Sequence, residues 1–341
     1  MSYSAREILE RLLAGQDLTE AEAGEVMSLL ADEALPPASA GALLAALRAK
    51  GETPDEVRGF ARQMRTLAHA VELPPGSGAA ECAGTGGDGS GSLNLSTGSA
   101  LLAAACGVPI MKCGNRSISS KSGSSDALSA LGFRLPQNPD EVLDCFNRCG
   151  FTFMSAPYFH PAMKAIAPVR NAMGVRTVFN ILGPLTNPAA PPFSLIGAFD
   201  LPTARLMADA LAGMPVQRAF VVHGEPGWDE ATPAGCFTLY EVRDGAVSEQ
   251  RRDPADYGLA RCSPDDLLGG DAGYNARALE AVFNGDDRGA HRDALTLGAG
   301  LVLEVTGRAT DLKTGIAAAC DGIDTGAAAA KLAEIRDWSE Q

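Results

Sequence analysis

Gly84-Thr-Gly-Gly-Asp-Gly-Ser-Gly-Ser-Leu-Asn-Leu-Ser-Thr97 is the stretch around which the rest of the chain is expected to fold. A short apolar run ending near Cys82 precedes it, and a run of small residues from about Gly98 to Cys106 follows it, which predicts a strand, a glycine loop and a helix. The glycines permit positive φ and let a ligand approach main-chain N–H groups closely. Such a loop before a helix N-terminus suits a phosphate, although a flexible glycine turn has the same composition.

Composition restricts the class of protein. The chain has 341 residues, of which 46% are hydrophobic and 21% charged, as in an ordinary folded protein. A net charge of −14 opposes a general nucleic-acid or membrane-surface role, so a polyanionic ligand would need a local basic patch or a bridging metal. The N-terminus shows neither a signal peptide nor a membrane span, and we expect a cytoplasmic protein.

Cysteine and histidine patterns exclude several common active sites. The eight cysteines include no CxxC pair, which favours buried free thiols over zinc ligands or disulfides. The four histidines form no HExxH motif, and no GxSxG elbow occurs, so a hydrolase triad is not expected.

The order of patterns predicts two domains. Residues 1–72 look wholly helical, with four helices whose starts include capping boxes at Thr19 and Thr53. Residues 73–341 alternate apolar strands with helices, which predicts an α/β domain with a mainly parallel sheet, and part of 161–190 is expected to pack with the helical domain. Strands are expected near 80–83, 108–112, 151–154, 193–198 and 218–223, followed by a hairpin over about 236–248 and four helices from about 275 onward.

A second anion loop is predicted from Lys112 to Asp126. It follows a strand and carries Lys112, Arg116 and Lys121 among several hydroxyl side chains. These cations interrupt an otherwise acidic chain at the strand end where ligands of α/β sheets usually bind. A solvated basic loop is the alternative interpretation.

Adjacent acids at Asp229 and Glu230 lie in a loop bounded by glycine and proline after the strand near 218–223. Carboxylates are suitable ligands for Mg²⁺ that is itself bound to substrate phosphates, and such an ion could offset charge on a leaving group. As loop acids they are also expected to be exposed, and solvated charge is the alternative.

A fourth stretch runs from His160 to Arg170 and on through Arg176 to Pro188. Pro168 is expected to end or kink a helix there and leave Arg170 at an irregular position. An arginine beside apolar walls can bind an aromatic carboxylate through both of its terminal nitrogens, although a structural salt bridge would need the same residue.

Together these motifs resemble those of the anthranilate phosphoribosyltransferase family, in order and in spacing. The resemblance covers nearly the whole chain and rests on six segments: Gly84 to Asp88, Asn94 to Thr97, Lys112 to Asp126, His160 to Arg170, Arg176 to Pro188 and Asp229-Glu230. It implies a fold similar to the nucleoside phosphorylase and phosphoribosyltransferase family: a small N-terminal helical domain, a large α/β domain with a mainly parallel central sheet, and a homodimer joined through the helical parts.

The resemblance also implies an activity and roles for residues. Anthranilate would attack C1 of phosphoribosyl pyrophosphate (PRPP), giving N-(5-phosphoribosyl)anthranilate and pyrophosphate for tryptophan biosynthesis. Mg²⁺ would bind at Ser96, Asp229 and Glu230, with Asp229, Glu230 and Lys112 as the catalytic groups. Gly84, Asn115 and Arg170 would position anthranilate. The residues expected to bind substrate are Gly84, Gly87, Asp88, Ser92, Asn94, Leu95, Ser96, Thr97, Lys112, Cys113, Gly114, Asn115, Arg116, Ser117, Ile118, Ser119, Ser120, Ser124 and Arg170.

Cys113 departs from the family pattern, which usually has histidine between the lysine and the glycine. A thiol is smaller and a poorer hydrogen-bond partner than imidazole. Two alternatives therefore stay open: a paralogous phosphoribosyltransferase with another aromatic acceptor, and a non-catalytic paralogue that contacts nucleic acid. The retained Asn115 and Arg170, together with the acidic charge balance, favour transfer to anthranilate over these two alternatives.

Overall fold

The structure, a computed structural model, describes residues 4–116 and 121–341. Four of the residues expected to bind substrate, Ser117, Ile118, Ser119 and Ser120, lie outside these ranges.

Four helices form the N-terminal part, as the sequence predicts: α1 (Ala5–Leu13), α2 (Glu20–Ala31), α3 (Pro37–Lys50) and α4 (Pro54–Thr66). The predicted capping boxes are present, because the hydroxyls of Thr19 and Thr53 accept from the backbone N–H three residues later and Glu22 and Glu56 bond back to the cap. Helix α4 ends at Thr66, before its predicted end near Ala70.

Seven strands form one sheet: β1 (Ala80–Gly84), β2 (Ile110–Gly114), β3 (Phe151–Ser155), β4 (Phe193–Gly197), β5 (Arg218–Gly224), β6 (Phe237–Arg243) and β7 (Ala246–Arg252). Their order is β3-β2-β1-β4-β5-β6-β7, with β1 to β5 parallel and the last two antiparallel. The predicted mainly parallel sheet is confirmed. The hairpin turns at Asp244 and Gly245, whose positive φ values of 52° and 74° suit a tight turn between twisted strands.

Eleven further α-helices follow the bundle in the described ranges. They are α5 (Leu95–Ala105), α6 (Ser124–Ala130), α7 (Pro139–Cys149), α8 (Ala156–Phe159), α9 (Met163–Met173), α10 (Phe179–Leu182), α11 (Leu201–Ala212), α12 (Ala272–Phe283), α13 (Ala290–Val305), α14 (Leu312–Asp324) and α15 (Ala327–Ser339). The last four match the predicted C-terminal helices. In the part of the chain that the structure describes, no helix has both the length and the apolar character needed to cross a bilayer.

The helical bundle shares a core with one face of the sheet. Buried residues of α2, α3 and α4 form one apolar cluster with α11 and with the inner side chains of β4 and β5. Ile166 on α9 belongs to the same cluster, so α9 lies against the bundle. Pro168 does not end this helix, which was one of the two outcomes expected of it: α9 continues through the proline, and packing on α2 and α3 offsets the one backbone hydrogen bond that proline removes.

Helices α2 and α4 cross closely at Gly59, and we expect Gly59→Ala to destabilise the bundle. A Cβ there would lie 2.2 Å from the carbonyl oxygen of Glu20 and 2.7 Å from Cβ of Ala23. Overpacking of this kind costs about 1–3 kcal/mol, against a gain of ~1 kcal/mol in helix propensity. Urea unfolding should show a net loss of roughly 1 kcal/mol or more.

Gly24→Ala is the matched control for that variant, because it adds the same methyl group on the partner helix. A Cβ at Gly24 would meet its nearest neighbour at 3.6 Å, which is ordinary van der Waals contact. We expect this variant to be neutral or stabilising, and equal losses in both would contradict the close crossing at Gly59.

Candidate active site

Three adjacent parallel strands end in glycine at one place, where the turn that carries Asp229 and Glu230 crosses them. The last residues of β1, β4 and β5 are Gly84, Gly197 and Gly224. A Cβ would lie 2.3 Å from Oδ2 of Asp229 at Gly84, 1.5 Å from the carbonyl oxygen of Asp229 at Gly197, and 2.0 Å from that of Glu230 at Gly224. The acidic turn can therefore reach the sheet only because these ends have no side chain.

The acidic pair bonds to both halves of the glycine-rich segment. Oδ2 of Asp229 accepts from the N–H of Gly86 at 2.6 Å, and Oε1 of Glu230 accepts from the N–H of Ser96 at 3.1 Å in the first turn of α5. Asn94 precedes α5 without making a side-chain capping bond, so Glu230 satisfies a donor at this helix end in its place. The site lies beside β1 and β4, where the strand order reverses and α/β folds usually bind ligands.

Both acids are buried more than the sequence suggested, and the expectation that they are exposed is wrong. Asp229 is only 7% exposed and Glu230 is half-buried. Burial raises the pKa of Asp229 to about 7, with the charge of Asp88 as the next cause. Burial followed by the charge of Asp229 raises the pKa of Glu230 to about 8, against the opposing charge of Lys112. Three carboxyl groups thus crowd one small region.

The glycine loop itself is built for close approach to its backbone. Gly86, Gly87, Gly89 and Gly91 have positive φ values of 66°, 73°, 75° and 62°. Glycine adopts this conformation without strain and leaves the backbone open to close approach, as in anion-binding loops. Further along, Ser92 bridges to Leu268, and the N–H of Leu93 donates to the carbonyl of Leu267 at 2.9 Å, which fixes the end of the loop.

Leu95 and Thr97 contribute differently from the prediction. Helix α5 begins at Leu95, ahead of the expected start near Gly98, so both residues lie in its first turn. Their side chains are 3% and 1% exposed and face the protein interior. Only their backbone groups are available to a ligand, whereas Asn94 and Ser96 are half-buried at the site.

The second loop meets the first through Asn94. Its Nδ2 donates to the carbonyl of Ser122 at 3.1 Å, and its Oδ1 accepts from Nδ2 of Asn275 at 2.7 Å. At the other end of the loop, Oγ of Ser124 donates to the carbonyl of Asn115 at 3.3 Å. A Cβ at Gly114 would lie 2.3 Å from that hydroxyl oxygen, so glycine permits the contact. The two predicted anion loops therefore share one cleft.

Lys112 and Cys113 lie on β2 beneath this cleft. Lys112 is 2% exposed and its Nζ donates to the carbonyl of Cys82, while its charge acts on Glu230. The N–H of Cys113 donates to Glu81 at 3.0 Å. Burial, and then the charge of Glu81, raises the pKa of the Cys113 thiol, which keeps it protonated and a poor nucleophile.

The two arginines expected at the site lie in different surroundings. Arg116 is exposed, and its backbone N–H donates to Oδ1 of Asn115 at 2.7 Å. Arg170 is half-buried on α9, with its guanidinium 5.1 Å from the ring centre of Phe179. No hydrogen bond or ion pair joins its side chain to a partner among residues 4–116 and 121–341. Burial lowers the pKa of Arg170, because desolvation disfavours the charged form.

Sequence reasoning assigned no role to four residues that hold the site together: Glu81, Arg176, Asn187 and Asn275. Two of them, Arg176 and Asn187, lie in the stretch from Arg176 to Pro188 that the resemblance includes. Arg176 donates to the carbonyl of Gly87, and its own carbonyl accepts from Arg48 of α3 at 2.5 Å, which joins the helical bundle to the glycine loop. An acid inside the apolar strand β1 was a usable signal for Glu81, whereas Asn275 had no local signal, because its partner Asn94 is distant in sequence.

Comparison with known proteins first defines the class. Two family models match: "Glycosyl transferase family, helical bundle domain" over residues 6–68 and "Glycosyl transferase family, a/b domain" over 77–329. The chain is thus a glycosyltransferase of the two-domain type, and the predicted fold class is confirmed.

Individual relatives define the family. The anthranilate phosphoribosyltransferase of Rubrobacter xylanophilus is 44% identical over 327 residues, covering 96% of this chain and 95% of the relative. The solved anthranilate phosphoribosyltransferase of Thermus thermophilus superposes with a TM-score of 0.92 at 39% identity, covering 98% of this chain and 99% of that one. A Saccharomyces cerevisiae enzyme of the same name, solved in complex with PRPP and Mg, has the same fold at 24% identity, a TM-score of 0.89 and 98% coverage of each chain. The chain belongs to the anthranilate phosphoribosyltransferase family, and the predicted family and enzyme class are confirmed.

The crowded acids predict a dependence of stability on pH. Without divalent cations, the free energy of unfolding should fall as pH rises from about 4 to about 8. Asp229 and Glu230 hold protons in the folded protein that the unfolded chain releases, so their contribution is complete below the unfolded-state pKa and is lost as pH passes about 7 and about 8. Glu230→Gln should lose less stability than wild type between about pH 5.5 and about pH 8.5.

Chemical unfolding in EDTA at the two pH values measures this difference. Glu10→Gln, on the exposed side of α1, is the control and should change with pH as the wild type does. A Glu230→Gln protein whose stability falls as steeply as that of the control would contradict the assignment.

Proposed function

We propose that this chain transfers the phosphoribosyl group of PRPP to the amine of anthranilate, giving N-(5-phosphoribosyl)anthranilate and pyrophosphate. The observation that carries the proposal is the contact of Asp229 and Glu230 with the glycine loop and the start of α5. It brings an anion-binding backbone and hard oxygen ligands to one cleft, as a sugar diphosphate requires. Membership of the family supports the choice of both substrates.

The diphosphate and ribose are assigned to the first loop. Backbone N–H groups of this loop other than those of Thr85, Gly86 and Ser90, which donate to protein acceptors, would donate to phosphate oxygens. Ser92, Asn94 and Ser96 would be the side-chain partners. Gly87 and Asp88 are assigned to the same ligand. Oδ1 of Asp88 also accepts from the N–H of Ser90 at 3.1 Å, which stabilises the shape of the loop. Residues of the second loop would close over the ligand from the other side.

The donors at the acidic turn fit a magnesium ion. In the described ranges, no group of three His, Cys, Asp or Glu side chains could hold a metal ion. Magnesium usually takes one or two carboxylates and completes its coordination with substrate phosphates and water. Asp229 and Glu230, with the Ser96 hydroxyl, would hold the ion. Burial, and then the charges of neighbouring carboxylates, raise the pKa values of the two acids. When bound, magnesium would neutralise charge that develops on the departing pyrophosphate. The Saccharomyces cerevisiae enzyme was solved with both PRPP and Mg.

Lys112 is assigned a supporting electrostatic role rather than a direct grip on phosphate. Its ammonium group is buried beneath the cleft and its charge opposes the rise in the pKa of Glu230. A cation at this depth favours the ionised carboxylate that a metal needs.

Anthranilate is assigned to the region between Gly84, Asn115 and Arg170. The half-buried guanidinium of Arg170 can bind its carboxylate, and apolar walls around Phe179 would exclude water. Cys113, with a protonated thiol, would add a small apolar surface. An arylamine is mostly neutral near pH 7 and needs no strong general base, so alignment and stabilisation of the leaving group would supply most of the rate enhancement.

The alternatives make different predictions. A paralogue with another acceptor would show a higher kcat/KM for a different aromatic amine, and steady-state assays with a panel of amines decide this. A non-catalytic paralogue would bind nucleic acid with strong salt dependence and release no pyrophosphate. The cytoplasmic location, the homodimer and the division into domains at residues 72 and 73 stay predictions.

The variant Asp229→Asn/Glu230→Gln should lower kcat by about 10²-fold or more, because it removes charge that would stabilise the leaving group. Its residual activity should respond weakly to magnesium concentration. Its thermal stability without metal should not fall, since repulsion among the three carboxylates is relieved. Measured pyrophosphate release with the wild-type rate and magnesium response would remove the metal assignment.

Arg170→Gln should raise KM for anthranilate about tenfold or more and change KM for PRPP much less, since a charged hydrogen bond to one substrate is lost. Arg205→Gln is the control, because Arg205 is exposed on α11 and pairs with Asp209 at 2.8 Å. Equal changes in both KM values would place Arg170 outside the acceptor site.

A further inference from the structure

Strands β1 and β2 separate almost as soon as they meet. They register at a single pair, Ala80 and Ile110, whereas β1 with β4 and β2 with β3 register along the whole of each strand. Beyond that pair the two strands run toward the cleft, where β1 ends at Gly84 and β2 ends at Gly114. The parallel sheet is therefore open between the two strands that present the two anion loops.

Side chains satisfy the backbone groups that the separation leaves unpaired. In a regular parallel ladder, the N–H of Cys82 would donate to the carbonyl of Met111, and the N–H of Cys113 to the carbonyl of Cys82. Instead, the carboxylate of Glu81 accepts from the N–H of Cys82 at 3.1 Å and from that of Cys113 at 3.0 Å. One acid thus replaces the missing acceptors on both strands.

Two more side chains occupy the carbonyl positions. Nδ2 of Asn187 donates to the carbonyl of Met111 at 2.8 Å and also to the carboxylate of Glu81, and Nζ of Lys112 donates to the carbonyl of Cys82. Oδ1 of Asn187 accepts from the N–H of Ala189 at 2.9 Å, which fixes the orientation of its amide. Each of these ladder groups therefore has a side-chain partner in place of the neighbouring strand.

The gap between β1 and β2 is lined by buried polar side chains, although apolar side chains would be easier to bury there. Glu81, Lys112 and Asn187 are 1%, 2% and 2% exposed, and burying polar and charged groups costs free energy unless they are fully bonded. Apolar side chains at these positions would let the ladder close. Buried polar groups that interrupt a regular sheet in this way are concentrated at functional sites.

We propose that Glu81, held in place by Asn187, is a positioning residue that keeps β1 and β2 apart so that the aromatic acceptor fits between their ends. Gly84 ends β1 and Asn115 directly follows the end of β2, and both residues are among those assigned to anthranilate. This inference rests on the proposed function for the identity of the acceptor. Glu81 does not touch the substrate. Its effect passes through the N–H of Cys113 and the position of β2.

Glu81→Gln tests the proposal with almost no change of shape. Glutamine has one acceptor and one donor where the carboxyl group of Glu81 offers two acceptors. Oε1 of Glu81 accepts from Cys82 and Cys113, and Oε2 accepts from Cys113 and Asn187, so the NH2 group of glutamine faces a donor in either orientation. We expect KM for anthranilate to rise about tenfold or more, because a donor then opposes the N–H groups that these acceptors hold. KM for PRPP, whose loop is fixed by other contacts, should change less than about threefold. Glu81→Asp keeps the acceptors and should restore most of the wild-type KM for anthranilate.

Glu304→Gln is the matched control. Glu304 on α13 is 5% exposed, and its two carboxylate oxygens accept from Nη1 and Nη2 of Arg252 at 2.6 Å and 2.9 Å. Arg252 lies on the edge strand β7, away from the cleft. It should reduce stability without changing the ratio of the two KM values. A Glu81→Gln protein with the same KM ratio as this control would overturn the proposal.

Amide hydrogen exchange supplies a readout that does not depend on turnover. At least one of the peptides that contain Cys82 and Cys113 should exchange at least about tenfold faster in Glu81→Gln than in Glu304→Gln, since one of these two N–H groups meets a donor in place of its acceptor. Unchanged exchange would overturn the proposal. If the wild type fails to turn over PRPP and anthranilate, the proposed function fails, and the exchange experiment still decides whether Glu81 holds the strands apart.

Asn187→Ala covers the case in which Glu81→Gln does not fold. It removes the donor to Met111 and to Glu81 while leaving the carboxylate in place. A selective rise in KM for anthranilate is expected, and a rise shared equally with KM for PRPP would overturn the proposal.

Discussion

The backbone of the Asp229–Glu230 turn rests on the ends of three adjacent parallel strands, and the geometry of the whole site depends on this contact. Each of these strands must end in glycine, because a Cβ at Gly84, Gly197 or Gly224 would overlap the turn. The contact also delivers one acid to the glycine loop and the other to the start of α5. Carboxylates held against the ends of strands are more rigid than carboxylates on a free loop, and rigid placement favours the binding of a charged ligand.

That rigidity has an electrostatic cost in the absence of a ligand. Burial raises the pKa values of Asp229 and Glu230, the neighbouring charges of Asp88 and Asp229 raise them further, and the buried cation of Lys112 offsets part of the rise at Glu230. The chain as a whole carries a net charge of −14, so its general field repels an anionic substrate. Attraction must therefore come from local features: aligned N–H groups of the glycine loop, the start of α5, and a cation accepted by the acids. Stability given up at such a site is a common trade for function.

Local patterns predicted most of the fold, whereas contacts between distant residues decided what the predictions missed. Alternating and helical periodicity located the strands and helices, including the hairpin over about 236–248. The start of α5 was misplaced because its N-terminal donor is satisfied by Glu230, 134 residues further along the chain. Pro168 was expected to end or kink a helix, and tertiary packing carries that helix on to Met173. The burial of Asp229 follows from three glycines on separate strands, which no single window of sequence contains.

The two edges of β1 differ in how they form the cleft, and under the proposed assignments the difference separates the side of the diphosphate from the side of the acceptor. Toward β4 the strands pair fully and the acidic turn closes the end, so the side proposed for the diphosphate is built largely from backbone, whose geometry changes little when side chains change. Toward β2 the strands part and directional side-chain bonds set their separation. Hydrogen bonds have narrow distance ranges, so the width of this second gap depends on the identity of a few residues. Under the proposed assignments, a change of acceptor would therefore act through the β2 side, where Cys113 lies, without disturbing the binding of the sugar diphosphate.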